Sequence, residues 1–81
     1  MKIIFSEDFK TEFQKIKERD LRLKIIKQLK KLSECPDTGK LLRYNLKNHR
    51  SVRVHPFRII YRLEQDKIII NCFDHRKDVY D

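Results

Sequence analysis

From Ser51 onward the chain alternates with a period of two, and this pattern constrains the fold more than any other feature. Val52, Val54, Phe57, Ile59, Tyr61 and Leu63 fall on one side; Ser51, Arg53, Arg58, Ile60 and Arg62 fall on the other. Successive side chains of a strand point to opposite faces, so the pattern predicts antiparallel hairpins in a defined register. Around His55-Pro56, Val54 pairs with Phe57, Arg53 with Arg58, Val52 with Ile59 and Ser51 with Ile60. Around Gln65-Asp66, Leu63 pairs with Ile68, Arg62 with Ile69 and Tyr61 with Ile70. Continued unbroken, the second ladder sets Ile60 against Asn71, Ile59 against Cys72 and Arg58 against Phe73. A slip of one residue would turn the arginines into the core, so the register is well specified. Asp66 tolerates the left-handed backbone that a tight turn needs. His55-Pro56 fits a standard two-residue turn badly, because proline restricts the residue before it; a cis bond is one resolution.

The first half reads as a strand over Lys2–Phe5 and then two helices. Ser6 is a good N-cap, and Glu7 and Asp8 suit the positive end of a helix dipole. Phe9, Phe13 and Ile16 recur at helical spacing, which predicts a first helix to about Arg19. Leu21, Ile25, Leu29 and Leu32 form the stripe of a second helix from about Asp20, ended by Pro36 and Asp37-Thr38-Gly39. Residues 41–48 read as a loop with a short extended piece. The expectation is an α+β fold: an N-terminal strand, then an αα-hairpin packed on one face of an antiparallel sheet, in a single domain over 1–81.

The chain has 81 residues and a formal net charge of +8. That excess on so small a domain points to a polyanionic partner. No stretch is apolar enough to span a membrane. Cys35 and Cys72 have neither metal-ligand spacing nor a nearby partner in sequence, which fits a reducing, cytoplasmic compartment and no cofactor.

The face away from the helices is expected to carry Arg53, Arg58, Arg62, Ile60, Ile69 and Phe73. Like charges directly opposite on a sheet repel, so Arg53 facing Arg58 costs stability unless an anion sits between them. RNA can be cut without a metal when a site holds the phosphate, aligns the 2′-hydroxyl, takes one proton and gives one. Arg53 and Arg58 can form a fork on the phosphate, and Arg76 can add a third charge. His75 is the first choice for acid–base work, since histidine ordinarily titrates near neutrality. Tyr80 can share it only if cations lower its pKa from about 10. Phe73 can stack on a base. Lys17, Lys24, Lys27 and Lys31 line one helix stripe and can grip RNA phosphates without reading sequence. Each feature also has a plainer reading: a solvated sheet face, a tail held down by Tyr80, a helix's wet side.

The order of elements and the C-terminal motif resemble the RelE/ParE superfamily of type II toxins. The motif residues are Ser51-Val52-Arg53-Val54, Arg58-Ile59-Ile60-Tyr61, Ile68-Ile69-Ile70 and His75-Arg76-Lys77-Asp78-Val79-Tyr80. The closing His-Arg and Tyr are more similar to the RelE branch than to the ParE branch. The resemblance implies a ribosome-dependent, metal-independent mRNA endonuclease, held silent by an acidic RelB-like antitoxin. It implies that Arg53, Arg58, Arg76 and Tyr80 carry cleavage. Ser51 stands where relatives often have a second basic residue, which moves proton transfer toward His75. Two rival readings are a ParE-type inhibitor of DNA gyrase and a basic RNA-binding module without catalysis.

Overall fold

A computed structural model describes residues 2–42 and 48–74. It contains β1 (Lys2–Phe5), α1 (Glu7–Lys15), α2 (Arg19–Glu34), a 3-10 turn (Pro36–Thr38), β2 (Lys40–Leu41), β3 (His49–Val54), β4 (Phe57–Glu64) and β5 (Lys67–Asp74). The strands form one sheet in the order β1-β5-β4-β3-β2. The α+β expectation holds. The sheet is antiparallel from β2 to β5, and β1 adds to the outer edge of β5 in parallel.

The helices start and stop where side chains satisfy their ends. Ser6 caps α1, its Oγ accepting from the Phe9 backbone N–H at 3.1 Å and donating to the Asn71 carbonyl. The first helix ends at Lys15 rather than near Arg19, because Ile16 is extended. Arg22 holds that corner: its Nη1 donates to the Phe13 and Ile16 carbonyls at 3.0 and 2.8 Å, with the guanidinium 4.3 Å from the Phe13 ring centre. The last carbonyls of a helix lack the usual partner four residues on, and here the Phe13 carbonyl also accepts from the Ile16 N–H at 3.2 Å.

The core lies between the helices and one sheet face. Phe9, Ile25 and Leu32 pack with Val52, Val54, Ile59, Tyr61, Ile68, Ile70 and Phe73. The β3–β4 register is the expected one along its whole length, and the His55-Pro56 bond at its turn is cis. At the β4–β5 turn it is Gln65, not Asp66, that has the left-handed backbone, with φ 57°.

The β4–β5 ladder departs from the expected register halfway along. Tyr61 pairs with Ile70, but Ile60 pairs with Cys72, Ile59 with Phe73 and Arg58 with Asp74. Asn71 is therefore the extra residue of a β-bulge, which exchanges the faces of everything after it. Phe73 turns into the core, 4.6 Å from Phe9 and 5.4 Å from Phe57 between ring centres. Cys72 moves to the face that bears the arginines. The bulge lets a large aromatic side chain be buried that an unbroken ladder would leave among cations.

Candidate nucleic-acid interface

The face turned away from the helices is built from alternate residues of four strands. β3 contributes His49, Ser51 and Arg53; β4 contributes Arg58, Ile60 and Arg62; β5 contributes Ile69, Cys72 and Asp74. The short strand β2 adds Lys40, in register with Ser51. Ser51 and Ile60 form a buried floor, Arg58 and Arg62 are half-buried, and Arg53 and Lys40 are exposed.

Arg53 and Arg58 do stand opposite each other, as the alternation predicts. The bulge, however, brings the buried Asp74 into register with Arg58 on its other side. The rung thus carries a carboxylate of its own, and the pairing of two arginines by itself does not call for a bound anion. Arg58 also leans along the sheet: its Nη1 donates to Ser51 Oγ at 3.3 Å. That places a guanidinium at the Ser51 position, beside the rung from which Lys40 departs. A serine that looks in sequence like a missing charge is thus flanked by two charges in space. Lys40 is a residue that sequence reasoning missed, since a two-residue strand leaves no periodic signal.

Arg62 is differently placed. Its Nε donates to Glu64 Oε2 at 2.9 Å and its Nη1 to Asn71 Oδ1 at 2.9 Å. The guanidinium is committed to the bulge and to a neighbouring carboxylate. Arg50 lies on the opposite face and holds the 36–39 segment, donating to the Gly39 carbonyl at 3.0 Å beside an ion pair with Asp37 at 3.7 Å. His49, facing Arg62 on the arginine side, is a second missed candidate. Its signal was present, because it continues the alternation of Ser51 and Arg53.

The other sequence-predicted residues do not gather here. Phe73 is 5% exposed and packed in the core, so base stacking by Phe73 is corrected. Cys72, expected in the core, lies on the arginine face, and burial together with Asp74, Asp8 and Glu12 pushes its thiol pKa up. Lys24, Lys27 and Lys31 are exposed on α2, but Lys17 falls in the connection between the helices, so the four do not form one helix stripe. His75, Arg76 and Tyr80 lie outside the described residues. Among the described residues, no group of His, Cys, Asp or Glu is placed to hold a metal ion, and no helix is long and apolar enough to cross a membrane.

The helix side carries an apolar groove of about 270 Å³ between α1, α2 and the end of β1, lined by Phe5, Phe9, Phe13, Ile26 and Leu29 with Lys10 at its rim. Two of the lining residues, Phe5 and Ile26, are exposed. Contiguous exposed apolar surface marks an interaction site more often than chance.

Solved structures share this fold. A YoeB/ParE toxin from Agrobacterium tumefaciens superposes with a TM-score of 0.84 at 14% identity, covering 94% of this chain and 99% of that one. The RelBE2 toxin–antitoxin complex from Mycobacterium tuberculosis gives 0.77 at 27% identity, covering 93% and 96%. The intact RelBE toxin–antitoxin complex of E. coli gives 0.78 at 14% identity, covering 93% and 95%. Curated protein sequences give no match. Residues 3–80 match the sequence profile of the ParE toxin of type II toxin–antitoxin systems. With the strand order and the arginine-bearing face described above, that match makes this chain a member of the RelE/ParE superfamily of type II toxins.

Proposed function

We propose that this toxin is an mRNA endonuclease of the RelE type, acting on ribosome-bound message in the cytoplasm. The observation that carries the reading is the convergence of cations at Ser51. Arg58 reaches Ser51 Oγ, Lys40 stands beside it in register and Arg53 lies on the next alternate position, all on a rigid sheet face. Guanidinium groups suit a phosphate whose charge grows as the 2′-oxygen attacks. Arg58 is held by the Ser51 hydroxyl before substrate arrives, so little ordering remains to be done on binding. Proton transfer falls to an imidazole, with His75 the choice made from sequence; Arg76 and Tyr80 complete the expected set.

The partner that silences it is an acidic antitoxin whose amphipathic helix fills the groove beside Phe5, Phe13 and Ile26. The +8 charge and the Lys10 rim favour acidic flanks on that helix.

The match to the ParE profile favours one other reading, inhibition of DNA gyrase. The two separate on Arg58. Messenger cut on programmed ribosomes by the wild type, and at least a hundredfold more slowly by Arg58→Ala, supports the nuclease, the size being that of a lost transition-state donor. A wild type that cuts nothing but blocks DNA supercoiling by gyrase supports the alternative.

A further inference from the structure

Resting on the nuclease reading, we propose that His49, not His75, is the group that takes the 2′-hydroxyl proton. Three observations place it. The register sets His49 on the arginine face, opposite Arg62. It is the alternate residue next to Ser51, about 6.5 Å along the strand. The cations do not centre on the Arg53–Arg58 rung but are drawn toward Ser51, where Arg58 donates its hydrogen bond and Lys40 stands alongside. A phosphate held there lies between Arg53 and His49. The span from Ser51 to His49 is one that a ribose, a hydrogen bond and an imidazole cover together.

Arg62, which faces His49, is turned toward Glu64 and Asn71. Among the described residues, the imidazole is therefore the side chain on this part of the face whose chemistry suits proton abstraction near neutral pH. His55, the other described histidine, sits exposed in the β3–β4 turn. Among the described residues, the titratable and charged groups around His49 on the face are Arg62 and Glu64 from β4, Lys40 from β2, Arg58 at Ser51, and Cys72 from β5 on the Ser51–Ile60 rung.

In the step itself, neutral His49 removes the 2′-hydroxyl proton as the 2′-oxygen bonds to phosphorus. The bond from phosphorus to the 5′-oxygen breaks, and that oxygen leaves with the electron pair and takes a proton from water. The imidazolium returns its proton to solvent. The products are a 2′,3′-cyclic phosphate and a 5′-hydroxyl.

The test is the single-turnover rate of mRNA cleavage on programmed ribosomes, from pH 5 to 8, for the wild type, His49→Gln and His75→Ala. His49→Gln is expected to be at least a hundredfold slower, the lower end for a lost general base. Its residual rate should lack the wild type's fall toward acid, while His75→Ala keeps that fall. If His49→Gln is too slow to profile, added imidazole should restore cleavage to His49→Ala with the same fall toward acid. His49→Gln within threefold of the wild type, an acidic fall lost in His75→Ala instead, or no restoration by imidazole would each overturn the assignment. A wild type that does not cut RNA at all removes the nuclease reading and His49 with it. A wild type that cuts while His49→Gln is unaffected removes His49 alone.

Discussion

Replacing Tyr61 with phenylalanine tests how the fold delivers Lys40 to the Ser51 rung. Tyr61 is fully buried, and its hydroxyl ties two parts of one segment to β4. It accepts from the Gly39 backbone N–H at 2.9 Å and donates to the Pro36 carbonyl at 2.8 Å. In Tyr61→Phe the buried Gly39 N–H loses its partner, at a cost of about 1–3 kcal/mol; the less buried Pro36 carbonyl can turn to water and loses less. A total near 2 kcal/mol lowers the melting temperature of a domain this size by about 8–16 °C. Gly39 attacks the same contact from the other side. Its backbone is ordinary, with φ −72°, so space and not conformation demands glycine. A Cβ there would lie 2.7 Å from Tyr61 Cε1 and 2.9 Å from Cζ, and against the hydroxyl as well. Gly39→Ala therefore forces the ring or the segment to move, at about 1–3 kcal/mol. Both changes break one contact, so the double variant should lose less than the two singles added, by at least about 0.5 kcal/mol. Urea melts of the four proteins measure this cycle. Additivity within about 0.3 kcal/mol, or a Tyr61→Phe loss under about 0.5 kcal/mol, would refute the reasoning. The pH dependence has a definite sign. Burial raises the Tyr61 pKa, so the fold favours the protonated phenol. That contribution is complete below the unfolded tyrosine's value of about 10 and is lost as pH rises through the folded value, so the gap between wild type and Tyr61→Phe should narrow there.

Three further outcomes follow from the same geometry. Phe73→Ala should destabilise the fold by about 3–5 kcal/mol in thermal melts, as a buried aromatic does, rather than weaken RNA binding in a stable protein. Iodoacetamide should alkylate exposed Cys35 before Cys72, whose thiol is raised by burial, and the two should react alike in denaturant; mass spectrometry of the peptides reads the order. Association with the proposed acidic antitoxin should slow steeply as salt rises, and Ile26→Asp should weaken it at least tenfold by placing a charge in the groove; an on-rate indifferent to salt would rule out the electrostatic part of the interface.

The parts of this molecule legible in the sequence are those where a repeating physical constraint spans many residues. The β3–β4 register was readable because a slip would bury Arg53 and Arg58 and expose Val52 and Ile59. The Ser6 cap was readable because its hydroxyl and the acidic first turn act locally. The bulge is hidden by the period-two pattern, which continues past Ile70 as if unbroken and puts Phe73 on the cationic face. A phenylalanine assigned to a cationic face beside an asparagine was the available warning. The parallel docking of β1 left no trace, because alternation specifies which face a residue takes and not which strand lies beside it. Lys40 depends on the hydrogen bonds that hold Pro36 and Gly39 to Tyr61, contacts between residues more than twenty apart in sequence. His49 is legible in the sequence, because the alternation that places Arg53 and Ser51 places it on the same face.

The central claim, that the cation-bearing face cuts RNA through its own 2′-hydroxyl, is tested most directly by changing one atom of the substrate. Two messages are loaded on ribosomes, identical except for a 2′-deoxy nucleotide on the 5′ side of the cut. The account predicts that the toxin cuts the all-ribose message to a 2′,3′-cyclic phosphate and a 5′-hydroxyl, and leaves the deoxy-substituted message whole at that position. Equal cutting of both messages, or products ending in a 5′-phosphate, would contradict it.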